Sequence, residues 1–127
     1  MFQNLEMFRM AYGMAVHAGT RHTLIAENIA NAGVVGYRAK DLAPFPEIYR
    51  SPDRSGRLNT TRDNHIGRVN ASLGSDDLSA HIFESNRGEP VSLEDQMLRS
   101  VESKRRHDRA VAIYRFGMNV LRSSIGR

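Results

Sequence analysis

The chain contains no cysteine and no tryptophan. Without cysteine there are no disulfide staples and no thiolate chemistry, and the redox compartment is left open. Aromatic residues make up 7% of the 127 residues and charged residues 25%, a balance that favours helices with polar faces over a dense aromatic core. No stretch approaches the roughly 20 consecutive apolar residues that a membrane-spanning helix needs. The start, Met1-Phe2-Gln3-Asn4-Leu5-Glu6, lacks the basic and apolar regions of a secretory signal. It reads as cytoplasmic, or as exported by a route without a cleaved signal.

Enzyme signatures are also missing. There is no Gly-x-Ser-x-Gly elbow, no phosphate-binding glycine loop and no His-Glu-x-x-His. Asp76-Asp77 is a carboxylate pair in a polar stretch with nothing beside it to raise a pKa, so it reads as solvated. Of the five histidines, His17 and His22 are five apart and do not share a helical face. His65, His81 and His107 lack ligand partners at useful spacing. Surface or interface histidines are the expectation, with no metal, no cofactor and no catalysis.

What the chain does have is two long patterned ends. Leu5, Phe8, Tyr12, Ala15, Gly19, Ala26 and Ile29 recur at alternating intervals of three and four, with His22 at the polar step. That period predicts one helix over 5–30, widened on one flank by Met7, Met10, Met14 and Ile25. Asn31-Ala32-Gly33 and Gly36 supply its stop. A second helix is predicted from Ser92, where a hydroxyl N-cap precedes Glu94 and Asp95. Its seam runs Met97, Val101, Lys104, Asp108, Val111, Arg115, Met118, Arg122, Ile125, apolar at the ends and charged between. A parallel stripe, Ala110, Ile113, Tyr114, Gly117 and Leu121, strengthens its last turns.

Residues 34–90 are different material. All four prolines and most of the glycines fall here or at its edge, too often for long elements. Tyr37–Leu42 and His65–Val69 are candidate strands of a small hairpin, and much of the region is expected to be disordered in the free chain. The expected fold is mostly α. Terminal helices (1–33 and 91–127) pair as a coiled-coil hairpin around an irregular middle that is partly β or disordered. An apolar helix face must be covered, so a face left over from this pairing is available to neighbouring molecules.

Charge is segregated within a net +4. Asp76, Asp77, Glu84, Glu89, Glu94 and Asp95 face a single base, Arg87, between Ser72 and Asp95. From Lys104 onwards the bases dominate. Opposite segments can pair between copies. The run Lys104-Arg105-Arg106-His107-Asp108-Arg109 also fits a phosphate-tracking surface, but it lacks interleaved aromatics and Asp108 interrupts it. Nucleic acid is therefore not the expected partner. The Met-rich first helix carries few bases, Arg9 and Arg21, so a partner helix explains it better than a membrane surface.

The segment Asn28-Ile29-Ala30-Asn31-Ala32 followed by Gly36-Tyr37 resembles the N-terminal motif of the flagellar axial proteins. Glu89 to Met97 is similar to the entry of the C-terminal helix in the small proximal subunits of the flagellar basal-body rod. Thr61-Arg62-Asp63-Asn64-His65-Ile66 and the ending from Ala112 to Arg127 fit the same group. One departure is Val34-Val35, where the family commonly has Thr-Pro.

The resemblance implies a structural rod subunit, exported uncleaved through the flagellum-specific channel and assembled in the periplasm. Its partners would be further copies, other rod subunits, the membrane-ring adaptor and the export gate. It assigns assembly to Asn28, Ile29, Ala30, Asn31, Ala32, Gly36 and Tyr37. Packing of the C-terminal helix falls to Met97, Val101, Val111, Tyr114, Met118, Leu121 and Ile125.

Overall fold

A computed structural model describes residues 2–50, 78–85 and 91–126, with side chains in the first helix from residue 6 onward. Helix α1 runs Phe2–Ala30. Strand β1 is Lys40–Leu42, α2 is Phe45–Arg50, β2 is Ile82–Glu84, and the second long helix, α3, is Leu93–Ile125. The order of two terminal helices around a smaller middle is the predicted one. Ser92 caps α3 as expected, its hydroxyl accepting from Asp95 N at 3.4 Å, with Glu94 and Asp95 in the first turn. Thirty-three residues make α3 on the order of 50 Å long.

The long helices pack antiparallel. Phe8 lies edge-on to Tyr114 at 5.3 Å, Ser103 Oγ donates to Ala18 O at 2.8 Å, and Asn28 meets Gln96 at 3.1 Å. The facing residues match the predicted stripes only in part: Ala110 and Gly117 of α3 and Phe8 and Ile25 of α1 belong to them, while Gln96, Ser103, Ala11 and Ala18 do not. On α3 the buried positions are Gln96, Ser103, Ala110 and Gly117, one every seven residues. On α1 they include Ala11, Ala18 and Ile25, also at sevens. A seven-residue interval keeps one side of a helix toward its partner.

Of the α1 stripe, Tyr12, Gly19 and Ala26 are exposed while Phe8, Ala15 and Ile29 are half-buried, and on α3 Met97 and Val101 are exposed. The physical reason is distance. A hydroxyl on one backbone can reach a carbonyl on the other only if the side chains between them are small. At Gly117 a Cβ would sit 2.7 Å from Met7 Cε and 2.8 Å from Phe8 Cζ.

The middle is not wholly irregular. β1 pairs antiparallel with β2 in the register Lys40↔Glu84, Asp41↔Phe83, Leu42↔Ile82. The predicted partner His65–Val69 lies outside the described residues, and the partner found is a segment the weak alternation did not reveal. Pro44 O accepts from Glu47 N and Ile48 N to start α2, whose first turn accommodates Pro46 because that N–H has no intrahelical partner. Leu24 of α1, Leu42, Ile48 and Leu78 form a buried cluster, with Val16, Ala43, Phe45, Tyr49 and Ile82 against it. Burying each large aliphatic contributes about 2 kcal/mol, enough in sum to hold this knob on α1.

Candidate functional site

Three polar side chains clamp the segment Ala39–Ala43 onto the helices, and each does so with different chemistry. Asn28 is 1% exposed, not the solvated residue that Asn at a helix end often is. Its Nδ2 donates to Lys40 O at 2.8 Å and to Gln96 Oε1 at 3.1 Å. Its Oδ1 accepts from Lys40 N at 2.9 Å and from Tyr37 Oη at 3.1 Å. Both donors and both lone pairs are used. The amide thus matches Lys40 as a neighbouring strand residue would, and ties it to α3.

The turn that brings Lys40 back to Asn28 depends on Gly36, whose φ is 84°. Tyr37 N donates to Val34 O at 3.2 Å across Val35 and Gly36, with glycine at the position of a type II turn that requires positive φ. Val34-Val35 therefore closes the turn without a proline. Of the other motif residues, Asn31 Nδ2 donates to Glu27 O at 2.8 Å within its own helix. Ile29 and Ala32 are half-buried and Ala30 is exposed.

Asp41 is the second clamp. Arg21 donates to both of its oxygens, at 2.9 and 3.2 Å, and Arg99 Nη1 approaches Oδ2 at 2.6 Å. Arg99 Nε also donates to Asp95 Oδ2 at 2.7 Å. One carboxylate on β1 so joins α1 to α3. Burial disfavours its charge, but the hydrogen bonds from Arg21 and Leu42 N–H and the two guanidinium charges outweigh that. Its carboxyl is held below the ordinary range.

His17 is the third. It is 2% exposed, with Nε2 2.8 Å from Ala43 O and its ring edge-on to Phe45 at 5.6 Å. This corrects the expectation of a surface or interface histidine. Burial lowers its pKa most, the Ala43 carbonyl opposes that, and Arg21 and Arg106 lower it further.

Asn28 and His17 are closed off from solvent, and the partly exposed Asp41 carboxylate is taken up by Arg21 and Arg99. Among the described residues no group of three His, Cys, Asp or Glu side chains could hold a metal ion, and no helix is long and apolar enough to cross a membrane.

Large apolar side chains stay exposed on α3, both beside its buried seam and away from it. Leu93, Met97, Leu98, Val101, Tyr114, Phe116, Val120 and Ile125 are all exposed. Val111, Met118 and Leu121 are half-buried. Within the basic run, Arg106 pairs with Glu102 and Lys104 with Asp108. Arg105 and Arg109 are exposed.

The sequence signals for His17, Arg21, Asp41 and Arg99 were absent, because each pairing joins distant segments. The seven-residue interval through Gln96, Ser103, Ala110 and Gly117 was present and readable.

The chain is 26% identical over 110 residues to the flagellar basal body rod protein FlgB of Agrobacterium fabrum, covering 84% of this chain and 82% of the relative. That similarity bears out the resemblance to the rod-protein family carried by the residues around Asn28, Tyr37 and Ser92. No protein-family profile matches the chain. No solved structure matches it.

Proposed function

We propose that the chain is a structural subunit of the bacterial flagellar basal-body rod, at the proximal end, and that it works by assembly and not by catalysis. The observation that carries this is the similarity to FlgB across most of both chains. The helix hairpin supports it, because α3 leaves Leu98, Val101 and Phe116 exposed on the side away from α1. In this reading the exposed members of the C-terminal set, Met97, Val101, Tyr114 and Ile125, meet helices of neighbouring axial subunits. Asn28 and Tyr37 fix the turn that returns the chain from α1 to β1. The subunit is exported without a cleaved signal and reaches the membrane-ring adaptor, the export gate and other rod subunits in the periplasm.

Deletion of the gene, followed by electron microscopy of isolated basal bodies, tests the proposal. The expected result is membrane rings without rods and loss of swimming, both restored by the intact gene. Normal rods and normal swimming in the deletion strain would overturn it.

A further inference from the structure

The outer side of α3 carries a short pattern that is complementary to itself. Glu94, Leu98, Val101 and Arg105 are spaced four, three and four apart. At 3.6 residues per turn they lie within about 40° of the direction opposite the buried Ser103. All four are exposed, Leu98 at 72% and Val101 at 53%. Among the described residues Glu94 receives only a 3.5 Å contact from the Ser92 hydroxyl, and Arg105 makes no ion pair. The neighbouring charges are already committed, Asp95 to Arg99 and Glu102 to Arg106. The order acid, apolar, apolar, base reads the same from either end once the charges are exchanged.

We propose that this stripe is a two-fold interface between two copies of the chain. With α3 antiparallel to its partner about a point between Leu98 and Val101, Glu94 falls beside the partner's Arg105. Leu98 then falls beside the partner's Val101. Symmetry repeats both relations, giving two ion pairs around four aliphatic side chains. Met97, 55% exposed, flanks the apolar centre.

Other placements fit less well. An antiparallel pair centred further along, between Arg105 and Arg109, sets like charges against each other. The contact spans only about three turns, so it is a weak association of the free subunit. It does not rest on the rod reading.

Sedimentation equilibrium of the full chain over a range of concentrations and salt tests it. The parent chain is expected to dimerise reversibly, less at high salt. Glu94→Arg sets arginine against arginine twice, and Arg105→Glu sets glutamate against glutamate twice. Each is expected to weaken dimerisation at least about tenfold, with helix content unchanged by circular dichroism. The double variant Glu94→Arg/Arg105→Glu restores the pattern with its charges exchanged and is expected to recover dimerisation.

A monomeric parent chain would overturn the proposal, since the face would then belong to another partner. So would single reversals without effect, or a double variant that fails to recover. None of these results bears on whether rods form in cells, so the two proposals fail separately.

Discussion

Asn28 on α1 and Gln96 on α3 meet in the interior between the helices, Asn28 Nδ2 donating to Gln96 Oε1 at 3.1 Å with both side chains buried. The same Asn28 amide holds Lys40 and Tyr37, so one side chain joins both helices, the turn and the strand. Asn28→Leu keeps the branched skeleton, with somewhat more bulk, but strips partners from Lys40 N–H, Lys40 C=O, the Tyr37 hydroxyl and the Gln96 amide. Leaving buried polar groups unpaired costs more than a mean hydrogen bond contributes, so a loss of about 3 kcal/mol is expected. Urea denaturation measures it. Gln96→Ala, which removes one of the four contacts, should cost far less. Equal midpoints for parent and Asn28→Leu would show that the amide does not hold the turn.

The long helices were legible because their apolar periodicity runs over many turns and their punctuation is explicit, with Ser92 before α3 and Gly36 after α1. Their facing sides were placed only in part: Ala110 and Gly117 are buried as the stripe predicts, but Met97 and Val101 were assumed to be buried because they are the larger apolar residues. In a close antiparallel pair the opposite holds. Ala18 against Ser103 lets the backbones approach, and residues as large as Met97 or Val101 are left outside. Of the knob, one strand was legible, since β1 falls within the predicted Tyr37–Leu42, but its partner and its packing were not. Its register depends on Leu42 finding Leu24, Ile48 and Leu78, contacts far apart in sequence that three-residue strands cannot announce.

His17 makes the fold sensitive to mild acid. Its pKa in the folded chain lies below the ordinary value of 6.5, so the unfolded chain takes up the proton first as pH falls. Stability is full above about pH 6.5 and declines below it, until the folded chain is protonated as well. Protonated His17 would add charge among Arg21 on α1 and Arg106 on α3, with Asp41 on β1 opposing them and the Phe45 ring as the contact from α2. His17→Gln keeps a donor that can reach Ala43 O and cannot gain charge. Thermal melts from pH 7.5 to 5 should fall more steeply for the parent than for this variant. Parallel slopes would remove His17 as the cause.

Asp41 acts in a lower window and in the same direction. Its folded pKa lies below the ordinary carboxylate value, so its contribution is fully present above about pH 4 and is lost as pH falls through the folded value. Asp41→Asn keeps the shape but leaves Arg21 and Arg99 without their shared carboxylate. A loss of about 2–3 kcal/mol at pH 7 is expected from a part-buried, doubly hydrogen-bonded pair. The difference between parent and variant should shrink toward pH 2. A variant deficit independent of pH would mean that packing, not charge, is what Asn fails to reproduce.

Gly117 tests whether backbone proximity sets the register of the helix pair. Its missing Cβ leaves room for Met7 Cε and for Phe8, whose ring is held edge-on to Tyr114. Ala at this position gains about 1 kcal/mol of helix propensity, which offsets part of the crowding and makes its net effect small. Leu gains nearly as much propensity but drives a branched side chain into the Phe8 ring, and overpacking of this kind costs about 1–3 kcal/mol. Gly117→Leu is therefore expected to destabilise where propensity alone predicts stabilisation. Adding Phe8→Ala should relieve the clash, so the double variant loses less than the sum of the two single losses. Additive losses in that cycle would mean that Gly117 and Phe8 are not in contact and that the helices meet in another register.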